Sequence, residues 1–552
     1  MPHLLRRTAL ATPIVALLLA PMLLAAQQPP PPTPVPIPVT DAPVGVQELT
    51  RGPIHEAFGR PVLFDPHPGP LASKEPPPPV EEIPPGERPA GDNVAWIPGY
   101  WAWDSEQNQF IWVSGFWREL PPGRTWVPGY WNRTDAGPQW VSGYWAPTSA
   151  ANAVADVEYL PEPPASLETG PPIAPPNADQ MWIPGLWIWQ SNRYAWRPGY
   201  WTVGSADWVW TPADYQWSPL GYIYVPGFWD YPLWRRGVLF APVTFGAGYP
   251  LGQPYTPRLA LNTAYLGYSL FAHPQTDSYY FGDYYANNYL QAGYYPWFSF
   301  HNTRFGYDPL FAHADWVYAK QNIDWEARLR QVYYQRRDDP TTRPARLYRD
   351  YVRGTAGRGD ASLVRPLAEL RTAADLPFKM ERVDAARIRE VAQHARAVRD
   401  FGSERAKLEG QRFREAGVGA ATAARGRVTV HLPEPPRFVG AAAARPPSPR
   451  VIPEHPTLPA ADLSRKPEPR PAQAEIARPQ PQPKIEERPI PVRTPGVLPH
   501  PEEVLHPEFN RRPGVPIAPQ VRPVQPPPVH FNPPPITGMP HPGHVALPPG
   551  RR

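Results

Sequence analysis

The chain has 552 residues, among them 88 prolines, 40 glycines and no cysteine, and its formal net charge at pH 7 is +4. The lack of cysteine excludes disulfides, thiolate metal ligands and cysteine nucleophiles. The proline and glycine content excludes one compact core over the whole length, so we expect the folded mass in the middle of the chain.

The N-terminus has the pattern of a secretory signal peptide over residues 1–26. Two arginines precede an apolar run from Ala9 to Leu24, and two alanines separate that run from a proline tract. Leu24 stands where a small residue is preferred before a cleavage site, which leaves an uncleaved anchor as the alternative. The pattern predicts export, either to the periplasm and cell envelope or into the medium.

Composition divides the rest of the chain into segments. Proline-rich stretches favour extended geometry, aromatic stretches with turn formers favour strands, and basic stretches with apolar periodicity favour helices. The predicted segments are a proline-rich linker (27–93), a first repeat block (94–146), a second linker (147–180), a second repeat block (181–234), a tyrosine-rich β/α region (235–340), a basic helical region (341–427) and a proline-rich disordered tail (428–552).

The repeats are the clearest feature of the sequence. Nineteen of the 22 tryptophans lie between Trp96 and Trp234, and most of them frame a hexapeptide, W-x-P/S-G-x-W. Successive copies begin 14 or 16 residues apart within two blocks of four, and the degenerate copies keep the same spacing. The copies begin at Trp96, Trp112, Trp126, Trp140, Trp182, Trp196, Trp210 and Tyr224.

The two tryptophans of a hexapeptide are five residues apart, which in a regular strand places them on opposite faces. A β-bulge at the Pro-Gly step, with its glycine in a left-handed conformation, would return both indoles to one face. The alternative is a tight Pro-Gly turn that pairs these two tryptophans across a short hairpin. We favour the bulge. The predicted fold is a mainly β repeat module of two antiparallel four-strand meanders, followed by a mixed aromatic-rich and helical region and extensive proline-rich disorder.

The tryptophans are expected to form the core of this module, because each can bury about 200 Å² where aliphatic residues are scarce. Neighbours in a strand alternate between faces, so the residue before each second tryptophan should point outward. A row of such aromatics would be a stacking surface for a ligand. The candidate surface-binding residues are Tyr100, Phe116, Tyr130, Tyr144, Tyr200 and Phe228.

Strand and helix signals follow the repeats. Val238–Phe245 predicts one more strand before the tyrosine-rich segment. Asp308-Pro309 predicts a helix that runs to about Lys320, and Asn322 or Asp324 caps the next helix. We expect these helices to pack on the tyrosine-rich segment as a second folded unit.

A longer helix is predicted from about Val383 to Ala416. Gly402 and Arg405 interrupt its apolar spacing, so an extended coiled coil is not indicated. The apolar positions at heptad spacing are Ile388, Val391, Ala395 and Val398.

No catalytic motif is present, and the sequence predicts no catalytic residues, no cofactor and no metal site. Acidic pairs such as Glu81-Glu82 and Glu486-Glu487 lie in predicted linkers, where a fixed geometry is not expected. Asp283 in the tyrosine-rich segment is the one carboxylate that merits attention, with a structural role favoured. The late histidines His530, His541 and His544 lie in the predicted tail.

The hexapeptides W-V-P-G-Y-W and W-V-S-G-F-W resemble those of the WXXGXW (YXWGXW) repeat family of predicted secreted bacterial proteins. The resemblance covers about residues 94–234. Departures are Trp210–Tyr215, which lacks the glycine, and Tyr224, which replaces a tryptophan. The resemblance implies export in bacteria and carries no catalytic residues.

Two functional hypotheses follow. The favoured one is a non-enzymatic exported envelope protein, a structural or interaction scaffold whose partner is an envelope polymer, such as polysaccharide or peptidoglycan, or an envelope protein. The alternative is a glycan-binding or glycan-active extracytoplasmic protein that uses its surface aromatics. Nucleic acid is not an expected partner, and membrane contact is expected only through an uncleaved signal or the basic tail.

Overall fold

The computed structural model describes residues 43–148, 155–250, 252–301, 303–353, 363–371, 373, 376–415 and 428–432. The predicted signal peptide, the histidines of the tail and the tail beyond residue 432 lie outside these ranges. No helix within the described ranges combines the length and apolar character that a membrane span requires.

The hexapeptides pair two by two into four kinked antiparallel hairpins, which we number 1 to 4 in chain order. Each hexapeptide supplies the end of one short strand and the start of the next, and its Pro-Gly or Ser-Gly dipeptide, here called the glycine step, interrupts the ladder between them. The strands are Val94–Ile97, Tyr100–Asp104, Gln109–Val113 and Phe116–Glu119 in hairpin 1; Arg124–Val127, Tyr130–Thr134, Gly137–Val141 and Tyr144–Pro147 in hairpin 2; Gln180–Ile183, Leu186–Gln190, Arg193–Arg197 and Tyr200–Val203 in hairpin 3; and Val209–Thr211, Asp214–Ser218, Gly221–Val225 and Phe228–Asp230 in hairpin 4.

Tryptophans pair across each hairpin and not within a hexapeptide. In hairpin 1, Trp96 lies opposite Trp117 and Trp101 lies opposite Trp112. These pairs are edge-to-face, with ring centroids 5.3 and 5.2 Å apart, the geometry that the aromatic quadrupole favours. The alternative of a tight Pro-Gly turn that pairs the two tryptophans of one hexapeptide is therefore not formed. The corresponding indole pairs in the other hairpins are Trp126–Trp145, Trp131–Trp140, Trp182–Trp201, Trp187–Trp196 and Trp210–Trp229.

The strand-rich repeat module followed by an aromatic and helical region is confirmed, but two details differ from the prediction. Among the described residues, ladder pairing within a block stays inside each hairpin, so a block is two hairpins and not one four-strand meander. The hexapeptide glycines do not have positive φ. Left-handed residues occur instead at hairpin tips, for example Asn108 in hairpin 1 and Ser191 and Asn192 in hairpin 3.

The glycines are required by close approach. A Cβ on Gly115 would lie 2.6 Å from the carbonyl oxygen of Ile97 and 2.7 Å from Cζ2 of Trp96. On Gly129 it would lie 2.5 Å from Cζ2 of Trp140. The first indole of one hexapeptide thus covers the glycine of its partner, and any side chain there would push the two strands apart.

The predicted linkers and the start of the predicted tail take part in the fold. Ala155–Leu160 pairs with Gly221–Val225 of hairpin 4 on one side and with Val428–Leu432 on the other. Val46–Glu48 pairs with Val243–Phe245. Proline content alone misled the prediction, because these short strands lie between the prolines. Further strands are Gly52–Pro53, Val62–Leu63, Glu87–Pro89, Gly237–Val238, Leu259–Leu261, Leu270–His273, Ser278–Phe281, Tyr295–Pro296, Gly306–Tyr307, Val364–Pro366 and Met380–Arg382.

The three predicted helices are confirmed as Pro309–Ala319, Trp325–Asp338 and Ala385–Glu415, the last called the long helix below. Asp308 accepts from the amide of Phe311 and Asp324 accepts from the amide of Ala327, so both predicted caps are formed. Shorter helices are Thr263–Leu266, Asn287–Gln291, Trp297–Phe300, Tyr348–Val352 and Leu367–Leu370, with 3-10 turns at Leu233–Arg235, Gly267–Ser269, Pro274–Thr276 and Pro340–Thr342.

One large hydrophobic cluster joins the repeats to the regions that follow them. It contains Trp96 and Trp117 of hairpin 1, Phe271 and Tyr285 of the tyrosine-rich region, and Val398 of the long helix. The expected second folded unit is thus continuous with the repeat core. Arg118 of hairpin 1 is fully buried, and its Nη2 donates to both carboxylate oxygens of Asp230 in hairpin 4, at 2.6 and 2.7 Å. This ion pair holds the two hairpins together.

The glycine step gives a direct stability prediction. Gly115→Ala should lower the free energy of unfolding by about 3 kcal/mol, because the added methyl group meets backbone and an indole that cannot both move. The control is Gly86→Ala, where the nearest atom to the new Cβ is 3.8 Å away. Denaturant unfolding followed by tryptophan fluorescence measures both. Equal stability of the two variants would contradict the steric role of the glycine.

Candidate functional site

Each glycine step presents backbone amides that the ladder does not pair, and in hairpin 1 a buried glutamate accepts them. Glu82 Oε2 accepts from the amides of Gly99 and Gly115 at 3.2 and 2.9 Å, while Oε1 accepts from the indole N–H of Trp112 at 3.0 Å. Glu82 is 2% exposed. Three donors converge on one carboxylate, so the glycine step is a carboxylate-binding site that the chain fills itself.

Glutamates occupy two further glycine steps in the same way. In hairpin 2, Glu56 accepts from the amide of Gly143 at 3.1 Å and from the indole of Trp140 at 3.3 Å. In hairpin 3, Glu168 accepts from the amide of Gly185 and from an indole. We call Glu56, Glu82 and Glu168 the cap glutamates. All three come from segments that the sequence identified only as linkers.

The segments that carry the cap glutamates also accept a hydrogen bond from a second indole through a backbone carbonyl. Trp101 donates to the carbonyl of Pro78 at 3.0 Å in hairpin 1. Trp187 donates to the carbonyl of Ala165, also at 3.0 Å, in hairpin 3. In both hairpins the tryptophans therefore hold an extended proline-rich segment by its backbone and by its glutamate.

Burial opposes the charge of Glu56 and Glu82. Desolvation raises the pKa of Glu56 to about 7, and the hydrogen bonds from Gly143 and Trp140 reduce the shift. Desolvation also raises the pKa of Glu82, and the donors Trp112, Gly115 and Gly99 act against it. These two carboxylates are thus held by their donors against a cost of desolvation, which makes both sensitive to the loss of a donor.

Cationic and neutral donors satisfy the carbonyl oxygens of the glycine steps. Arg405 of the long helix donates to the carbonyls of Pro128 and Ser142 in hairpin 2, at 3.2 Å each. Arg405 is paired with Glu409 at 2.6 Å, and both are fully buried. Gly402 lets the helix approach, since a Cβ there would lie 3.2 Å from Pro128. The interruption of the apolar spacing at Gly402 and Arg405 therefore marks the docking of the helix on hairpin 2.

In hairpin 1 the corresponding carbonyl belongs to Pro98, and the donor is a histidine. His55 Nε2 lies 3.0 Å from the carbonyl oxygen of Pro98, and its Nδ1 accepts from the amide of Ala57 at 3.1 Å. This pair of contacts fits the neutral tautomer with the proton on Nε2. Burial lowers the pKa of His55 to about 4, so the ring is an uncharged bridge in the core.

Hairpin 4 shows how departures from the motif are accommodated. Tyr215 lies opposite Tyr224, with ring centroids 5.5 Å apart, so both tryptophan losses fall in the same cross-strand pair. Ala213 stands where the other hexapeptides have glycine, and the facing hexapeptide begins with Tyr224. The ring of Tyr224, which is smaller than an indole, therefore faces the methyl group of Ala213. In the other hairpins an indole packs on a glycine at this position, where a methyl group would not fit.

The predicted outer row of aromatics is buried. Phe116 is 0% exposed, and Tyr130, Tyr144 and Phe228 are 7, 5 and 8% exposed. Tyr130 donates to Glu409, which places its hydroxyl against the long helix. The helix and the neighbouring hairpins cover the face that strand alternation assigned to solvent, because the repeat block is not a free-standing sheet.

Tyr100 and Tyr200 are the two predicted surface residues that keep partial exposure. Tyr100 stacks on Trp140 of hairpin 2, with ring centroids 5.0 Å apart and an interplanar angle of 16°. Its ring is therefore engaged between hairpins 1 and 2. Tyr200 lies in hairpin 3, where Arg197 sits over its ring at 6.0 Å.

The carboxylate singled out in the tyrosine-rich segment has a structural partner. Asp283 is 6% exposed and accepts from Arg346 Nε at 2.8 Å, which forms an ion pair. Among the described residues no group of three or more His, Asp or Glu side chains is arranged to hold a metal ion.

Among the four hairpins, hairpin 3 is the one with two indole pairs that are both partly exposed. All four of its paired tryptophans are partly exposed, whereas all four of hairpin 1 are buried. Val203 at its edge is 52% exposed, and Arg193 at its tip is also exposed. Hairpin 3 therefore presents an aromatic surface with a filled carboxylate site beneath it, and we call it the exposed hairpin face.

These features define a class of protein built from tryptophan-paired β-hairpins whose glycine steps bind carboxylates. The model of the WXXGXW repeat family matches residues 91–118, 125–146 and 177–202, so the chain carries WXXGXW repeats in hairpins 1 to 3. Hairpin 4 has the same pairing beyond the matched segments. No curated protein matches the chain, and no solved structure matches it.

The cap glutamates were missed in the sequence, although a spacing signal was present. Glu82 precedes Trp96 by 14 residues, and Glu168 precedes Trp182 by 14 residues. The duplicated unit therefore begins before the first hexapeptide of each block. Hydrophobic periodicity does not show this, because a single glutamate in a proline-rich stretch has no pattern of its own.

The cap can be tested with adjacent residues. Glu82→Gln should lower the free energy of unfolding by about 1–3 kcal/mol, because the amide NH₂ would face an N–H donor where an acceptor is needed. Glu81→Gln is the matched control. Glu81 forms a partly exposed ion pair with Arg396, so its loss should cost less than about 0.5 kcal/mol. Denaturant unfolding at pH 8 measures both variants. Similar losses of unfolding free energy in the two would contradict the role of Glu82 as an acceptor for the glycine step.

The neutral histidine predicts a pH dependence. The pKa of His55 is lowered from 6.5 to about 4 in the folded chain, so the unfolded chain binds more protons between these values. The stability contributed by the neutral ring is present above pH 6.5 and is lost as the pH falls towards 4. The free energy by which the native chain exceeds His55→Gln should shrink by about 3 kcal/mol over this range. A constant difference in urea unfolding at pH 7, 6, 5 and 4 would contradict the assignment.

Proposed function

We propose that the protein is an exported, non-enzymatic scaffold of the bacterial cell envelope, and that it docks on its partner through the exposed hairpin face. The partner class is an envelope polymer, such as polysaccharide or peptidoglycan, or an envelope protein. The single observation behind the proposal is that both indole pairs of hairpin 3 are partly exposed. All paired tryptophans of hairpin 1 are buried, hairpin 2 has one that is partly exposed, and hairpin 4 has a single partly exposed pair.

Three further observations support a scaffold. The N-terminal sequence has the pattern of an export signal. The carboxylates of the cap glutamates accept hydrogen bonds from backbone amides and indoles, which is a structural role. Aromatic surfaces of partly exposed tryptophans are typical of interaction sites, since a large apolar ring with a polar N–H suits a boundary between protein and partner.

The test is envelope retention in a bacterial host that expresses the full chain. Trp187→Ala with Trp196→Ala should reduce the envelope-bound fraction at least tenfold, because the central indole pair of the exposed face is lost. Val203→Glu, which adds a charge without removing an indole pair, should reduce it as well. Val44→Ser alters a side chain that is 82% exposed and lies outside the repeats, and it should have no effect.

Cell fractionation with immunoblotting measures retention, and denaturant unfolding of each purified variant establishes that it is folded. A chain that lacks residues 1–26 should remain in the cytoplasm. Full retention of a folded double tryptophan variant would refute the docking face. Export without residues 1–26 would refute the signal.

A further inference from the structure

The segment that fills hairpin 1 shows what ligand a glycine step selects. Along residues 78–84 the carbonyl of Pro78 accepts from Trp101, Val80 packs in one cluster with Trp101 and Trp112, and Glu82 caps the glycine step. Carbonyl, apolar side chain and carboxylate thus recur at every second residue. The hairpin therefore contacts an extended peptide at every second residue, because alternate residues of an extended chain face the same side.

The segment that fills hairpin 3 is a poorer version of this ligand. Ala165 supplies the carbonyl and Glu168 the carboxylate, three residues apart instead of the four in hairpin 1, and Glu168 accepts from the indole of the first hexapeptide instead of the second. Ser166 occupies the position two residues before the glutamate, which Val80 occupies in hairpin 1. The neighbouring Leu167 is 57% exposed. The position of Val80 is thus taken by a serine, and Trp187 and Trp196 are partly exposed.

A better version of the ligand is present elsewhere in the chain. Residues 78–84 are P-P-V-E-E-I-P, and residues 483–489 are P-K-I-E-E-R-P. The two prolines and the two glutamates are identical, and Ile485 replaces Val80. Residues 483–489 lie outside the described part of the chain, 51 residues beyond Leu432. A chain of that length spans on the order of 40 Å.

We propose that residues 483–489 of the tail are a second ligand of the WXXGXW repeats and bind hairpin 3 in place of residues 161–168. Glu487 takes the glycine step in place of Glu168, and Ile485 covers Trp187 and Trp196. Hairpin 1 is not available to the tail, because Glu82 is buried there. The inference rests on the proposed function in taking hairpin 3 as the docking face, and it adds a regulator, since the bound tail covers the indoles that an envelope partner contacts.

The test uses the purified full chain and a fluorescein-labelled peptide of residues 481–492. The chain's own tail competes with the peptide, so a chain with Glu486→Gln and Glu487→Gln should bind the peptide at least tenfold more tightly than the native chain, as measured by fluorescence anisotropy. Glu502→Gln with Glu503→Gln changes another acidic pair of the tail that lacks the preceding isoleucine. This control chain should bind the peptide as the native chain does.

Changes in the peptide cannot unfold the protein, so they test recognition directly. We call the chain with Glu486→Gln and Glu487→Gln the opened chain. Peptides with Glu487→Gln or Ile485→Ser should bind it at least tenfold more weakly than the native peptide does. A peptide of residues 161–172 should compete, at higher concentration. A photo-crosslinker at position 485 should label residues 180–203, identified by mass spectrometry.

Equal binding of the peptide to native and opened chains, unchanged binding of the Glu487→Gln peptide, or labelling outside hairpin 3 would overturn the proposal. Each of these results is separate from envelope retention, which is measured in cells with the tail intact. The scaffold function can therefore stand if the tail ligand fails, and the tail ligand can bind if retention proves independent of hairpin 3.

Discussion

The structure depends on one steric constraint, the packing of an indole on a bare backbone. The first tryptophan of each intact hexapeptide lies over the glycine of the facing hexapeptide, which brings the two strands too close for an ordinary ladder. The amides at this point then need an acceptor that can take several donors at once. A carboxylate is the side chain that does so, and this links the hexapeptides to glutamates that lie outside them.

This coupling explains why the repeats form one body with neighbouring segments. The residues around Glu82 cross hairpin 1 as an extended segment, Glu56 reaches hairpin 2 from a turn, and the long helix reaches hairpin 2 with Arg405. Hairpin 4 departs from the pattern at the pair Tyr215–Tyr224 and at Ala213. The three departures fall at one place in space, as expected when ring size and glycine are determined by the same contact.

The sequence was sufficient for elements with local signals. Regular spacing predicted the repeats, and the capping residues Asp308 and Asp324 predicted where two helices begin. It was insufficient wherever the signal depends on a distant partner. The pairing between hexapeptides, the burial of Tyr130 under the long helix and the role of Glu82 all require residues far apart in the chain. The polar residue Arg405 looked like a defect in a helix because its partners are carbonyl groups in hairpin 2.

The position of the acceptors along the chain has a consequence for biosynthesis. Glu56 and Glu82 leave the ribosome before hairpins 1 and 2, so each hairpin emerges with its carboxylate already available. Arg405 and Glu409 emerge only after almost three quarters of the 552 residues have been made. Hairpin 2 can therefore close on one side early, while its other side waits for the long helix.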